Sequence, residues 1–253
     1  MTTRINKELG HYFLKDSIRM VTDFSKTGQS QGLPMPPVQK AFDPAARRVA
    51  LPKPGRWHGV KPISVEAAIG QRESRRKFSK TALTLDELAF LLWSTQGVRR
   101  KLGSGIALRT APSAGARHAF ETYLGILNVK GVEPGLHRYL PFEHVLVFER
   151  AVENLGAALA AAALGQDFAG HAAVTFIWTA IPARMEWRYG DASYKVIAVD
   201  AGHVGQNLYL ACETIGAGTC AIGAYDQEAM DRLLGVGGTD EFTVYVAPVG
   251  KVH

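Results

Sequence analysis

Cysteine is nearly absent. The chain holds two, Cys212 and Cys220, in no CxxC pair and at no zinc-like spacing. A disulfide-stapled fold is therefore excluded, and a reducing cytoplasm is the expected compartment. Long apolar runs are missing too: the longest, 155–165 and 172–183, fall short of the ~18–20 residues that cross a bilayer, so no membrane association is expected. The opening residues MTTRINKELGHYFLKDS carry no apolar stretch ahead of a cleavage site, so no secretory signal is expected. No GxxxxGK(S/T), HExxH or GxSxG motif occurs anywhere.

What is present is ordinary globular composition. Of 253 residues, 47% are hydrophobic and 21% charged, which suits one large domain, or one domain with an extension, and excludes general disorder. The net charge is +6, modest for the length, but its distribution is uneven. Lys61, Arg72, Arg75, Arg76, Lys77 and Lys80 cluster against Glu66 and Glu73, and Arg99, Arg100, Lys101, Arg109 and Arg117 follow. Such a cluster suits a nucleic acid, a phosphate-bearing cofactor, or no ligand at all. Interleaved aromatics are sparse beside it (Phe78 alone), so no nucleic-acid partner is expected.

Residues 1–60 read as a proline-rich N-terminal extension, with prolines at 34, 36, 37, 44, 52 and 54 and weak periodicity. They predict an extended arm that packs on a partner surface. Residues 61–253 read as the domain proper. Ser64 can cap a helix toward Arg72, and Thr84 with Glu87 has capping-box spacing ahead of a helix that ends at Gly97. A short helix is expected from Ser113 through His118. Strands are expected over 122–129 and 144–148 with GVEPG as the turn between them, then over 172–180, 219–222 and 242–249. Further helices are expected over 154–166, 200–216 and 226–234. Helices and strands mix without strict βαβ alternation, which predicts an α+β fold.

Gly216-Ala-Gly218-Thr-Cys-Ala221 matches a dinucleotide fingerprint on paper, but it follows a helix and opens a strand, the reverse of what that fingerprint requires. It reads as a helix cap and a turn. Arg72, Ser74 and Arg76 alternate after a helix, so in an extended segment their donors converge on one side, as a phosphate would need; a solvated basic loop is the alternative. In Pro112-Ser113-Ala114-Gly115, small side chains let a backbone approach a flat ligand, or simply form a turn. Asp200, His203, Gln206 and Asn207 lie at helical spacing and could form a polar stripe on a buried helix, with Asp200 near the helix start; a structural polar network inside the fold or across a dimer seam is the expected role, and a single histidine predicts no metal site.

Arg-x-Ser-x-Arg (72–76), LLW (91–93), Pro-Ser-Ala-Gly (112–115), Gly-Leu-His-Arg-Tyr (135–139), Asp-Ala-Gly-His-x-x-Gln-Asn-Leu (200–208), Ala-Ile-Gly-Ala (221–224) and Ala-Pro-Val-Gly-Lys (247–251) occur in this order. Together they resemble the flavin-dependent nitroreductase family, over about residues 61–253. The chain is most similar to its SagB-type dehydrogenase branch, which includes the azoline oxidases of thiazole/oxazole-modified peptide synthesis. The resemblance implies a sandwich of a mainly antiparallel sheet with helices, dimeric, with FMN at the subunit interface. It assigns Arg72, Ser74 and Arg76 to the FMN phosphate and ribityl chain, and Pro112, Ser113, Ala114 and Gly115 to the loop along the flavin. Ala221, Ile222, Gly223 and Ala224 fall to the segment near flavin N5, and Lys251 to a C-terminal phosphate contact. Arg188-Tyr189 stands where the azoline oxidases carry a Lys-Tyr pair, and this pair is expected to face the substrate; arginine is a poor base. The implied activity is an FMN-dependent oxidoreductase that passes a hydride between NAD(P)H or an organic substrate and a second, small-molecule acceptor. Heterocycle dehydrogenation on a modified peptide and non-catalytic flavin binding are the alternatives.

Overall fold

A computed structural model of the chain describes residues 7–102 and 106–252; residues 1–6 of the N-terminal extension and His253 lie outside the described residues. Helices α1 (Lys7–Leu14) and α2 (Ile18–Val21) open it, and strand β1 (Arg48–Ala50) follows. Then come α3 (Val65–Gln71), α4 (Leu85–Gln96), β2 (Val98–Lys101), β3 (Ala107–Arg109), β4 (Phe120–Ile126), β5 (Gly135–Leu140) and β6 (Val145–Arg150). The chain continues through α5 (Leu155–Ala162), α6 (Phe168–His171), β7 (Val174–Ala180), α7 (Ala183–Tyr189), α8 (Ser193–Glu213), β8 (Ala217–Thr219), α9 (Gln227–Leu234) and β9 (Phe242–Lys251).

Seven strands form one sheet in the order β1-β6-β5-β4-β7-β9-β8, and every neighbouring pair is antiparallel. The central strands β4 and β7 are buried at every position. Side chains alternate across a strand, so these two feed two cores. Leu124, Phe176 and Trp178 meet Leu88, Leu91 and Leu92 of α4 and Val204 and Leu208 of α8. Tyr123 and Ile177 meet Leu159 of α5 and Met230 of α9 on the other face. The result is an α+β sandwich with α4 and α8 on one side and α5 and α9 on the other, as the resemblance implied.

Local chemistry sets the helix boundaries. The Ser64 hydroxyl accepts from Ala67 N–H and starts α3. At α4 the Thr84 side chain accepts from Glu87 N–H while the Glu87 carboxylate accepts from Thr84 N–H, a closed capping box. Asp226 caps α9 in the same way, accepting from Ala229 N–H.

Three expectations are corrected. Between the two strands expected around GVEPG lies a third, β5; all its positions are buried, so it lacks the alternation that marks a half-buried strand. Helix α8 starts at Ser193, not at Asp200; its β-branched Val196, Ile197 and Val199 mask the start, and packing overrides their weak helix preference. The proline-rich segment seats on its own chain. Strand β1 pairs with β6 at the sheet edge, and four buried arginines surround residues 36–41, three of them bonding main-chain carbonyls and the fourth acting through Glu121. Arg117 donates to Pro36 O, Arg109 to Val38 O at 2.6 Å, and Arg138 to Lys40 O and Ala41 O. The fourth, Arg184, pairs with Glu121 at 2.5 Å, and that carboxylate also takes the Lys40 N–H.

Candidate active site

The Arg72–Ser79 segment runs along the β8–β9 edge. Arg72 N–H closes the last turn of α3 on Ala68 O, after which the chain extends. Arg75 N–H donates to Thr219 O and Ser79 N–H to Lys251 O. Glycines permit this approach: a Cβ on Gly218 would stand 2.6 Å from Arg75 Cβ, and one on Gly250 would stand 2.7 Å from Phe78. The glycines of the discarded dinucleotide pattern are therefore a helix end (Gly216, φ +59°) and a packing contact.

Sequence reasoning missed Tyr209, on the C-terminal half of α8. Its hydroxyl accepts from Ala221 N–H at 2.9 Å and lies 3.0 Å from Ser74 Oγ. The Arg72 guanidinium stands 5.3 Å from its ring centroid, within cation–π reach. Two segments separated by 135 residues in the Ser74–Tyr209 contact thereby meet at one side chain. Arg76 departs from this group and lies over Phe168 of α6, at 5.9 Å. In the 221–224 segment, Ala221 N–H is committed to Tyr209 and Ile222 N–H to Val246 O, while Gly223 and Ala224 are exposed. Lys251 turns inward, 2.5 Å from Glu87 Oε1 and also bonded to Ile215 O.

The second group assembles at the N-terminal half of α8. Ser113 enters extended, Ala114–Ala116 form a 3-10 turn, and Gly115, Ala116 and His118 all hold positive φ. Non-glycine residues with such φ store strain that the surroundings must hold in place. Three contacts do so. His118 N–H donates to Ser113 Oγ at 2.9 Å, the His118 Nε2 position bonds Ala107 O at 2.8 Å, and Ala114 N–H faces the buried Asp200 carboxylate at 3.3 Å. Burial pushes the Asp200 pKa up, while the Ser113 hydroxyl and Ala114 N–H pull it back. Burial next to Arg109 holds the His118 pKa down to about 3. Arg188 and Tyr189 pack on the same loop: a Cβ on Gly115 would meet Arg188 Cδ and Tyr189 Oη at 2.8 Å.

The polar stripe on α8 does not form. Asp200 sits mid-helix and serves the 113–114 loop, Asn207 donates to Ser94 O at 2.8 Å, and His203 and Gln206 face outward. Two cavities flank the exposed part of the helix. One of about 570 Å³ is lined by aromatic residues including Tyr194, Tyr225 and Tyr245, with Gly223 at its wall and Phe13 of the arm beside it. The other, about 520 Å³, takes in Pro112–Ala114, Lys195 and His203, with Asp16 and Arg19 of the arm. Among the described residues, no cluster of His, Cys, Asp and Glu could hold a metal ion, and no helix is long and apolar enough to cross a membrane.

Helix geometry relates the two groups. Asp200 and Tyr209 are nine positions apart, about two and a half turns and ~14 Å of rise. Their side chains therefore leave opposite faces of α8.

A family model described as the nitroreductase family matches residues 69–251. A Methanocaldococcus jannaschii protein named "Putative nitroreductase MJ1384" is 33% identical over 192 residues, covering 76% of this chain and 93% of that one. A crystal structure of a "putative nitroreductase" from Ralstonia eutropha JMP134 superposes with a TM-score of 0.68 at 28% identity, over 87% of this chain and 99% of that one. Another, from Anabaena variabilis, gives a TM-score of 0.69 at 26% identity over 85% of this chain; this chain spans only 43% of the Anabaena chain's length.

Proposed function

The chain belongs to the nitroreductase family, a family of FMN-dependent oxidoreductases, and from that premise we propose that it passes electrons from NAD(P)H to a small organic acceptor by alternating half-reactions. Within the family we place it with the SagB-type branch, on the order of its sequence motifs. The observation that carries the reading is the division of the expected cofactor contacts between opposite faces of α8. Arg72, Ser74 and the 221–224 segment gather at one end through Tyr209; the 112–115 loop, Arg188 and Tyr189 gather at the other. Opposite faces of one helix cannot wall the same flat ligand. A second copy of the chain, bringing its 112–115 loop to the first copy's 72–76 segment, completes a site that one copy holds in halves.

The residues present fit FMN. Arg72 and the exposed Ser74 offer charge-assisted donors to a phosphate. Gly223 is exposed, with open space where a Cβ would stand, so a ring system can approach its backbone. Bound FMN supplies a two-electron carrier that takes a hydride at N5. The protein's own residues bind and orient. Asp200 holds the 113–114 backbone, and the Arg188 guanidinium is suited to draw anionic substrates or the phosphates of a nicotinamide and is a poor general base.

Purified protein should be yellow, with flavin bands near one per chain, and should scatter as about twice 27.4 kDa. Colourless protein that takes up no added FMN would refute the cofactor assignment. An FMN-loaded monomer would refute the two-copy site.

A further inference from the structure

The contacts of Tyr209 have a direction. Its hydroxyl accepts the Ala221 N–H, which leaves its single proton free to donate to Ser74 Oγ, 3.0 Å away, a contact in which either hydroxyl can be the donor. Ser74 Oγ then acts as an acceptor on that side, and its own proton points elsewhere. Ser74 is exposed, so the remaining direction is outward, beside Arg72. With Tyr209 as donor to Ser74, the sequence Ala221 N–H, Tyr209 O–H, Ser74 O–H forms a relay of donors that starts at the backbone of one predicted cofactor segment and ends at the other.

We propose that Tyr209 is a positioning residue that fixes Ser74 as an outward hydrogen-bond donor for a phosphate monoester and ties that donor to the 221–224 backbone. The proposal rests on the FMN reading above and adds to it a residue that touches neither phosphate nor ring. A hydroxyl held with its proton aimed at an anion needs no reorientation on binding, which is where preorganised donors gain over free ones. The same tie holds the 221–224 segment against the 72–76 segment, so a ligand seated on one meets the other in a set geometry.

FMN and riboflavin differ only in the phosphate, so their affinity ratio isolates it. The experiment titrates apo-protein with each flavin by fluorescence quenching, for wild type, Tyr209→Phe, Ser74→Ala and the double variant. Tyr209→Phe keeps the ring under Arg72 and removes only the relay. It should lower the FMN-to-riboflavin ratio roughly tenfold, as loss of one hydrogen bond to a charged group does. It should also speed amide exchange at Ala221. Ser74→Ala should lower the ratio similarly, and adding Tyr209→Phe to it should lower it little further, because both act through one donor. A wild type that discriminates and a Tyr209→Phe protein that discriminates equally would overturn the role of Tyr209 alone. Independent, multiplying effects of the two substitutions would overturn the relay. A wild type that binds FMN no better than riboflavin would overturn the phosphate reading itself.

Discussion

His118 makes the 113–118 turn sensitive to acid. Its side chain is buried, its Nε2 position bonds Ala107 O, and Arg109, Arg117 and Arg184 all bear on it electrostatically. Burial first, and these cations after it, depress its pKa from 6.5 to about 3. A histidine depressed in the folded state contributes stability that is present above its unfolded pKa and lost as pH falls toward the folded value. Between pH 7 and pH 5 the unfolded chain takes up roughly three-quarters of a proton at this site and the folded chain takes up almost none. At ~1.36 kcal/mol per pH unit per proton, the loss over that window is about 2 kcal/mol. The figure depends on the unfolded pKa, because pH 5 is still well above the folded value. Against a typical domain stability of about 5–15 kcal/mol, and at roughly 2–4 °C per kcal/mol for a chain of this size, it should lower the melting temperature by about 4–8 °C. His118→Gln keeps an N–H for Ala107 O and removes the titration. Urea denaturation of both proteins at pH 7 and pH 5 measures the difference of slopes, in which the other titrating groups cancel. A variant with the same pH dependence as wild type would refute the assignment. The His118 N–H also anchors Ser113, so bound flavin is expected to leave in the same pH window.

Arg72→Ala should weaken FMN binding roughly 10- to 100-fold, from about 1.5–3 kcal/mol for a charged hydrogen bond; an unchanged dissociation constant in flavin titration would remove Arg72 from the phosphate site. Lys251→Ala should act on stability, not on FMN affinity, because it leaves the buried Glu87 unpaired; a loss of about 3–5 kcal/mol in chemical denaturation is expected, and FMN weakening without destabilisation would instead support a phosphate contact. Arg188→Lys should leave flavin content intact and change kcat/KM most for anionic substrates, by up to about 1.5–3 kcal/mol; equal ratios across charged and neutral acceptors would show that Arg188 is structural.

Local signals carried much of the fold. The caps at Ser64 and Thr84 act as their spacing predicts, because an N-cap involves residues three apart and needs nothing distant. The turn at Gly216 was legible because a positive φ after a helix demands glycine. What stayed hidden was non-local. Strand β5 shows no alternation because both its faces are covered. Tyr209 reads in sequence as one more half-buried aromatic of α8, since Ser74 and Ala221 become its neighbours only when β8 returns beside the 72–79 segment. Asp200 looked like a helix-start charge because the first turns of α8 are rich in β-branched residues. The inward turn of Lys251 depends on Glu87, which also closes the α4 capping box and lies 164 positions away.

The grip on residues 36–41 has a consequence for how this chain tolerates change. Arg117, Arg109 and Arg138 hold carbonyl oxygens, which every residue type presents alike. Substitutions along the stretch therefore leave these carbonyl bonds in place, while Val38, whose side chain is 1% exposed, and Lys40, whose ammonium pairs with the buried Glu241 at 2.6 Å, are held by their side chains as well. A one-residue insertion or deletion is another matter. It would move the carbonyls of 38, 40 and 41 out of step with their guanidiniums together and leave several buried N–H donors without those acceptors. The segment is thus written more in length than in letters: its residue count between Pro36 and Ala41 is fixed by the arginines beneath it, and its composition only at the few positions whose side chains are also held.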